Sequence, residues 1–405
     1  MRKEKSLYYS IDQICKVIDC EHKTAPYVES SEYFVVRTSN VRDGNLILDD
    51  IKCTTKEGFI EWTQRAVPEH GDVLFTREAP AGESCLVPPS LNICMGQRMV
   101  LLRPKKDLVN PYFLSFYLNT REGKREIYQH VIGSTVTRIN IDDILKIKIF
   151  CPSIAEQEKI ASFLGAVDTR LTQLRRKREL LQTYKRGVMQ KLFSQQLRFT
   201  QPDGSPFPAW KLRTLDELME IKNGYAFSSD FFSVDTTDKI LLTPGNFHVD
   251  GGLYFGSNTK YYQGEVEEKY ILSNGDLLIV MTDLTKEMNI LGNTIFLESD
   301  KIVLHNQRIG KILIKKDGLV TKQFLRDVLN SYACKKEIRE KATGSTVRHT
   351  SNKTILSITL HIPLIKEQEK IASFLTAIDR KIEALSRQIE QTEQFKKGLL
   401  QKLFV

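Results

Sequence analysis

The nine-residue sequence EQEKIASFL occurs twice in this chain of 405 residues, starting once at Glu156 and once at Glu367. The same offset of 211 residues relates Gly133-Ser134-Thr135 to Gly344-Ser345-Thr346. Chance does not produce a nine-residue identity together with a collinear match of this kind. The chain is therefore an internal duplication, and any fold assigned to it must contain two copies of one plan.

The two copies agree less well toward the N-terminal part of each unit. Gln97-Arg98 and Gln307-Arg308 are offset by 210 residues, and Gly71-Asp72 and Gly275-Asp276 by 204. Insertions, deletions and substitutions have thus accumulated upstream of the repeated nonapeptide. Each unit has a variable first part and a constant last part.

The constant parts have the heptad spacing of a coiled coil, with apolar residues recurring in steps of four and three over more than four heptads. The first seam contains Ile160, Leu164, Val167, Leu171, Leu174 and Leu181, and the second contains Ile371, Leu375, Ile378, Ile382, Leu385 and Ile389. Each helix would be roughly 60 Å long at 1.5 Å per residue. We predict two long helices that pack against each other as an antiparallel coiled coil with pseudo-twofold symmetry.

Lys185 and Lys396 interrupt the two apolar seams at equivalent positions. A lysine at such a position is compatible with a solvated gap near the end of the helix. It is also compatible with control of the helix register, or with a contact to a DNA phosphate. The sequence leaves these interpretations open.

The variable parts are predicted to be α+β domains, because apolar strand-like runs such as 34–36 and 311–314 are combined with a helix before each Gly-Ser-Thr. Many turn formers lie between the two units and mark a connector. The predicted order is a domain at 1–152, a helical spacer at 153–194, a linker at 195–210, a domain at 211–362 and a spacer at 363–405.

The charge of the chain, +9 at neutral pH, favours an acidic partner such as nucleic acid. The segments 153–194 and 364–404 carry +7 of this charge. No apolar run is long enough to span a membrane, and no apolar stretch follows the charged N-terminus as in a secretion signal. Seven cysteines, an odd number, do not form a disulfide framework, so we predict reduced thiols and a cytoplasmic protein.

Motifs for catalysis are few and weak. Asn110-Pro111-Tyr112-Phe113 resembles an amino-methyltransferase motif, but no Gly-rich cofactor loop accompanies it. Pro202-Asp203 with Glu220-Ile221-Lys222 matches a loose pattern of Mg²⁺-dependent nucleases. We predict no catalytic residue and no metal ligand in this chain. A stand-alone metal-dependent DNA endonuclease and a coiled-coil adaptor that binds no DNA remain the alternatives.

Polar and basic clusters in the variable parts are suited to contact DNA, because Arg, Asn and Gln read base edges while Ser and Thr bind phosphates. In the first domain the candidates are Arg37, Thr38, Ser39, Asn40, Arg42, Thr76, Arg77, Gln97, Arg98, Ser134, Thr135 and Arg138. In the second domain they are Tyr225, Asn246, Thr282, Asp283, Gln307, Arg308, Ser345, Thr346 and Arg348. The Gln-Arg and Gly-Ser-Thr groups are the strongest, because both units contain them at matching places.

Over nearly its whole length the chain resembles the specificity subunits of type I restriction–modification systems. The resemblance rests on EQEKI after a proline, on the two Gln-Lys-Leu-Phe helix ends, on the paired Gly-Ser-Thr and on Phe207-Pro208-Ala209-Trp210. The first variable part also looks like a recognition domain that carries the segments 19–27 and 71–78.

This resemblance implies that the chain is not itself an enzyme. Each variable domain would read one half of a bipartite DNA target in the major groove, and the paired helices would set the gap. The helices would also dock two methyltransferase subunits, through which two restriction subunits join. S-adenosylmethionine, ATP and Mg²⁺ would then be bound by those partners, and this chain would bind no cofactor.

Overall fold

The computed structural model describes residues 7–233, 235–249, 251–256 and 258–404. These residues form two compact units, of which the first combines two separate stretches of the chain and the second is one continuous stretch. The first comprises Met1–Arg176 and Leu385–Val405, and the second comprises Lys177–Ala384. Each unit therefore combines one α+β domain with the first half of the long helix that follows it and the second half of the other long helix.

The first unit contains twelve described strands and five short helices before the long helix. The strands are β1 (Tyr8–Ser10), β2 (Cys15–Asp19), β3 (Tyr27–Val28), β4 (Tyr33–Val36), β5 (Val41–Arg42), β6 (Asn45–Leu46), β7 (Lys52–Thr54), β8 (Val73–Thr76), β9 (Ser84–Leu86), β10 (Asn92–Met95), β11 (Met99–Pro104) and β12 (Lys148–Phe150). The helices are α1 (Ile11–Ile14), α2 (Lys56–Trp62), α3 (Pro111–Leu118), α4 (Arg121–Tyr128) and α5 (Ile141–Lys146).

The long helix α6 (Ile154–Phe193) leads into the second unit, which repeats this arrangement. Its described strands are β13 (Lys211–Thr214), β14 (Met219–Asn223), β15 (Phe232–Ser233), β16 (Lys239–Leu242), β17 (Lys260–Tyr262), β18 (Ile271–Leu272), β19 (Leu277–Val280), β20 (Thr282–Asp283), β21 (Thr294–Phe296), β22 (Ile302–His305), β23 (Ile309–Ile314), β24 (Arg348–His349) and β25 (Thr359–Ile362). The helices are α7 (Leu215–Leu218), α8 (Lys322–Leu329), α9 (Tyr332–Glu340), α10 (Asn352–Leu356) and α11 (Ile365–Leu403).

The two domains share a sheet topology. One antiparallel sheet has the order β2-β11-β8-β9 in the first unit and β14-β23-β19-β21 in the second. A second sheet contains the parallel pair β4 and β10 in the first unit, and the parallel pair β16 and β22 in the second. All four residues of β8 and of β19 are buried, as their largely apolar sequences VLFT and LLIV require of a central strand. The predicted α+β class is confirmed.

The two long helices confirm the heptad prediction, since they begin and end within two residues of the predicted spacers. In the first unit Lys396 of α11 pairs with Asp168 of α6 at 2.6 Å. In the second unit Lys185 of α6 pairs with Asp379 of α11 at 2.5 Å. The early half of each helix thus meets the late half of the other, which makes the pair antiparallel in both units.

The predicted seam residues lie on the inner faces of these helices. Leu164, Val167, Leu171 and Leu174 are buried in the first half of α6, and Ile371, Leu375 and Ile378 in the first half of α11. Leu385 and Ile389 are buried in the second half of α11, while Ile160, Leu181 and Ile382 are partly buried against the cores. The lysines that interrupt the seams form ion pairs between the helices, which favours the interpretation of register control.

A buried glutamine joins each long helix to the domain before it. Gln157 accepts a hydrogen bond from the Asn110 main-chain N–H at 2.8 Å and donates to the Leu108 and Pro152 carbonyls. Gln368 accepts from the Thr321 main-chain N–H at 2.9 Å and donates to the Leu319 and Pro363 carbonyls. The two sets of partners correspond at an offset of 211 residues, so the start of each long helix is fixed to its domain by equivalent hydrogen bonds.

All seven cysteines are free and buried. Burial raises the pKa of the Cys15 thiol to about 12, so this thiol is neutral at physiological pH. Across residues 7–404, apart from the three undescribed positions, no helix is both long and apolar enough to cross a membrane.

Candidate nucleic-acid interface

Four loops of the first domain meet beyond the end of β8. The Thr38 hydroxyl donates to the Ala79 carbonyl at 3.3 Å, and the Ala79 N–H donates to the Thr137 carbonyl at 3.2 Å. Arg98, just before β11, forms an ion pair with Glu78 at 3.3 Å. The structure thus brings together four segments that the sequence analysis selected separately, namely those around 38, 78, 98 and 137.

The Gly-Ser-Thr segment of the first domain forms an exposed loop that ends in this group. Ile132 and Arg138 exchange two main-chain hydrogen bonds of 2.9 Å and close the loop. Gly133 has a φ of +91°, and a Cβ atom there would lie 2.4 Å from the Val136 carbonyl oxygen. Only glycine is accommodated at this position, while Ser134 and Thr135 extend into solvent.

The second domain builds the same loop at the equivalent place. Thr343 and His349 exchange two main-chain hydrogen bonds of 2.9 Å. Gly344 has a φ of +95°, and a Cβ atom would lie 2.1 Å from the Val347 carbonyl oxygen. Ser345 and Thr346 are exposed. The repeated Gly-Ser-Thr is therefore one loop conformation, presented once by each domain.

Loops also converge in the second domain beyond the end of β19. The Met281 N–H donates to the Arg308 carbonyl at 2.9 Å, and the Thr350 N–H donates to the Met281 carbonyl at 3.0 Å. The Gln307 N–H donates to the Tyr225 carbonyl at 3.1 Å. The segments around 225, 281, 308 and 349 therefore form one surface, and the last three of them correspond to the segments around 77, 98 and 138 of the first domain.

Gly224 allows two of these segments to lie in direct main-chain contact. A Cβ atom at position 224 would lie 2.0 Å from the His305 carbonyl oxygen, which no side chain tolerates. The Tyr225 N–H then donates to that carbonyl at 2.8 Å. Gly224, which precedes the candidate Tyr225, thus allows the segment to contact the main chain directly before Gln307 and Arg308.

The candidate side chains fall into three groups. Several are exposed and have no side-chain hydrogen bond or ion pair within the described parts of the chain: Ser39, Ser134, Thr135, Arg138, Gln307, Arg308, Ser345 and Thr346. Others use part of their hydrogen-bonding capacity within the protein: Arg37, Thr38, Arg42, Arg77, Gln97, Arg98 and Arg348. Tyr225 is half exposed and its ring contacts those of Phe227 and Tyr270.

The third group corrects the sequence-based selection, because these side chains are buried and stabilise loops instead of facing solvent. Asn40, Thr76, Asn246, Thr282 and Asp283 are all at most 3% exposed. Asn40 and Asn246 stabilise equivalent turns. The side-chain oxygen of each accepts a hydrogen bond from the main-chain N–H of the residue three positions earlier. Asp283 accepts from the main-chain N–H groups of residues 285, 290 and 291.

An aromatic array in the second domain was not recognised from the sequence. Phe227 lies 4.9 Å from Tyr262 and 5.2 Å from Tyr225, measured between ring centroids. Phe227, Phe232, Lys260, Gln307 and Arg308 are among the residues that line an open cavity of about 170 Å³. These aromatic residues are spread over 225–270 of the sequence, so no local pattern predicts that their rings meet.

The two weak catalytic patterns have structural explanations. Asn110 is the N-cap of α3, and its side-chain oxygen accepts from the N–H groups of Tyr112 and Phe113. Asp203 accepts two hydrogen bonds from Ser205 within a turn of the connector. Within the described residues, no group of three or more His, Cys, Asp or Glu side chains is arranged to hold a metal ion.

Comparison with known proteins gives a consistent result. A family model described as "Type I restriction modification DNA specificity domain" matches residues 4–182 and 209–394. The type I restriction enzyme MjaVIII specificity subunit of Methanocaldococcus jannaschii is 24% identical over 383 residues, covering 92% of this chain and 85% of that protein. The EcoBI specificity subunit of Escherichia coli is 27% identical over 193 residues, covering 48% of this chain and 37% of that protein.

Solved structures show the same fold. A type I restriction–modification S subunit from M. genitalium aligns with a TM-score of 0.60 and 15% identity, covering 98% of this chain and 96% of that one. A chain from a study of complex assembly and conformational transition of a type I restriction–modification system aligns with a TM-score of 0.55 and 16% identity, covering 98% and 97%.

Proposed function

Because the chain belongs to the family of type I restriction–modification DNA specificity domains, we propose that its two α+β domains each read one half of a bipartite DNA target. One observation carries this proposal. Both domains place a Gly-Ser-Thr loop and a Gln-Arg loop on one surface, while the other side chains of that surface differ. A shared loop suits the phosphates, which are the same in any DNA, and divergent side chains suit two different base sequences.

The side chains at these surfaces have the required chemistry. Arginine can donate two hydrogen bonds to guanine, and glutamine can bond adenine in the same bidentate way. Arg308 and Gln307 of the second domain are exposed and keep these donors available. The exposed hydroxyl groups of Ser134 and Ser345 can donate to phosphate oxygens, as can the N–H groups of their loops.

The repeated helices support the proposal that two copies of one partner dock on this chain. Apart from the residues that the connector covers in the second unit, the two helices present the same repeated sequence, so one type of subunit can bind at both places. We assign these places to two methyltransferase subunits, which recruit two restriction subunits in turn. S-adenosylmethionine, ATP and Mg²⁺ belong to those partners in this proposal, and this chain contributes recognition alone.

Mapping the adenine methylation directed by arginine variants tests this proposal. The chain would be expressed with its methyltransferase subunit, and the methylated motif would be determined by sequencing. We expect Arg308→Ala to relax or lose bases in one half of the motif only, and Arg98→Ala in the other half only. Each loss should weaken DNA binding by about 1–3 kcal/mol, the usual effect of removing a base-contacting arginine.

Lys316→Ala provides the matched control. Lys316 is exposed and lies two residues after the end of β23, while Arg308 directly precedes its first residue, so the two lie beyond opposite ends of one strand. This variant loses the same charge from the same domain and should leave the motif unchanged. If Arg308→Ala altered both halves together, or altered neither while DNA binding persisted, the assignment of one half-site to each domain would be wrong.

A further inference from the structure

The repeated sequence EQEKIASFL is covered by the connector in the second unit. Glu367 is fully buried, and Arg198 donates to its two oxygens at 3.1 and 2.8 Å. The Trp210 indole N–H donates to the same carboxylate at 3.0 Å. The bidentate ion pair of Arg198 holds the first end of the connector at the start of α11, and the hydrogen bond of Trp210 holds the other end.

Two further residues of the repeat hold the connector. The Lys370 ammonium donates to the Thr200 carbonyl at 2.7 Å and lies 5.6 Å from the centre of the Phe207 ring. Phe374 meets Phe199 edge to face, with 5.8 Å between ring centroids. Glu367, Lys370 and Phe374 therefore form one docking face, which binds the sequence Arg198-Phe199-Thr200.

Among the described residues, no connector covers the equivalent face of the first unit, where the Phe163 ring contacts that of Phe395 edge to face at 6.5 Å between centroids. The equivalent residues are Glu156, Lys159 and Phe163, and all three side chains are exposed, Phe163 to 47%. Gln157 fixes the start of α6 through the same three hydrogen bonds that Gln368 makes for α11. The backbone that carries this face is therefore preformed, with its side chains directed to solvent.

We infer that Glu156, Lys159 and Phe163 bind an extended segment of a partner protein that presents an arginine followed by an aromatic residue. The carboxylate of Glu156 receives the guanidinium, Phe163 packs against the ring, and Lys159 donates to a main-chain carbonyl. The intramolecular contacts of the second unit define this chemistry directly. The partner binds once per chain, because the connector already occupies the equivalent face of the second unit.

A partner of another sequence fits this face better than a second copy of the chain. For a second copy to offer its own connector, Arg198 and Trp210 would have to leave Glu367. That carboxylate is fully buried, and removing its partners would leave an uncompensated charge in the core. The segment must therefore come from a protein whose arginine is free before binding.

A peptide with the sequence of residues 195–210 tests the inference on the full chain. The peptide, labelled with a fluorophore, would be titrated with the protein and followed by fluorescence anisotropy. We expect saturable binding with one peptide per chain. Glu156→Lys should weaken binding at least tenfold, since it reverses the charge that faces the peptide arginine, and a peptide with alanine at the position of Arg198 should lose affinity to the same extent.

Glu158→Lys is the matched control, because Glu158 lies two residues away on the same helix and is exposed. It introduces the same charge change and should alter binding by less than twofold. Absence of saturable binding, or equal losses in the two variants, would overturn the inference. If Glu367→Lys weakened peptide binding and Glu156→Lys did not, the peptide would be replacing the connector in the second unit, and the inference would also be wrong. A dimer of the chain that Glu156→Lys dissociates would assign the face to a second copy, against the partner inferred here.

Discussion

Gln97 and Arg98 in the first unit, and Gln307 and Arg308 in the second, stand directly before corresponding strands, yet their side chains are held differently. Gln97 donates to the His22 carbonyl at 3.1 Å and Arg98 pairs with Glu78. Gln307 and Arg308 have no such side-chain contacts within the described residues. The same dipeptide is therefore fixed in one domain and free in the other.

Two sets of contacts made by the long helices, in contrast, are the same in both units. Gln157 and Gln368 have corresponding partners, and Lys185 and Lys396 reach corresponding aspartates. The two units thus share the contacts that fix the start and the pairing of each long helix, and they differ in the side-chain contacts of the Gln-Arg loop. We therefore expect the constant helices and the variable loops of each unit to bind different partners. The following experiments test how far the two units are equivalent in their helix contacts and where they differ.

The largest expected effect concerns the buried glutamines. Gln157→Leu and Gln368→Leu each remove three hydrogen bonds and leave one main-chain N–H and two carbonyls without their partner. We expect each variant to lose about 3–5 kcal/mol of unfolding free energy in its own unit. Hydrogen exchange followed by mass spectrometry measures this for the two units separately.

Gln173→Leu is the control for this experiment, because Gln173 lies on the same helix as Gln157 but is exposed. It should change the unfolding free energy by less than about 0.5 kcal/mol. Equal losses of protection from Gln157→Leu and Gln368→Leu, each confined to one unit, would strengthen the equivalence of the helix contacts. If either variant lowered the protection of both units together, the units would not be independent, and the comparison between them would fail.

The second largest expected effect is a pH dependence of stability, and it comes from a buried residue that only the second unit has. Asp327 is buried in the second unit, and this burial raises its pKa to about 6, although Arg326 donates two hydrogen bonds to one of its oxygens. The other oxygen has no partner within the described residues. Phe116 occupies the equivalent position in the first unit, so that unit has no such carboxyl group.

The sign of the pH dependence follows from this shift. The unfolded chain loses the Asp327 proton near pH 4, whereas the folded chain keeps it up to about pH 6. The native state therefore binds more protons in this window, and the second unit loses stability as the pH rises through it. Two pKa units correspond to about 3 kcal/mol, which sets the upper limit of the effect.

Urea unfolding between pH 4 and 7 measures this effect in a Trp62→Phe background, where Trp210 of the second unit is the remaining tryptophan. We expect the difference in unfolding free energy between the parent and Asp327→Asn to change by up to about 3 kcal/mol over this range, with the parent losing more as the pH rises. Asp317 is exposed, so the unfolding free energy of Asp317→Asn should change with pH in the same way as that of the parent. If the unfolding free energy of Asp327→Asn also changed with pH as that of the parent does, Asp327 would not titrate between pH 4 and 7.

The sequence predicted the helices well because their signal is long and periodic. The spacers predicted at 153–194 and 363–405 are the helices Ile154–Phe193 and Ile365–Leu403. Each heptad repeats the same information, so a single irregular residue such as Lys185 does not hide the pattern. The α+β class and the loop segments that form the candidate interface also followed from short local patterns.

The sequence could not predict which polar side chains face solvent. Asn246 and Gln307 are both amides in loops, but Asn246 bonds main-chain groups inside the domain and Gln307 does not. The partners of Asn246 are decided by how residues 243 and 254 approach each other, which no local pattern specifies. For the same reason, two identical copies of EQEKIASFL gave no sign that Glu367 is buried and Glu156 exposed.

The smallest expected effect tests the two lysines of the seam. Both ion pairs are partly exposed, and such pairs contribute at most about 1 kcal/mol. Lys185→Met and Lys396→Met place an apolar side chain of similar length in the seam, which offsets part of the loss. At pH 7 we expect each variant to lie within about 1 kcal/mol of the parent in unfolding free energy.

Lowering the pH should separate these two variants. Lys185 stabilises the ionised form of Asp327, so the cost of its removal contains a contribution that disappears once Asp327 is protonated. Lys396 lies 5.6 Å from the centre of the Phe116 ring, which stands where the second unit has the carboxyl group of Asp327. Urea unfolding at pH 7 and pH 5 should show a smaller cost of Lys185→Met at pH 5 and an unchanged cost of Lys396→Met. Equal changes in the cost of both variants would mean that the asymmetry between Asp327 and Phe116 has no energetic consequence.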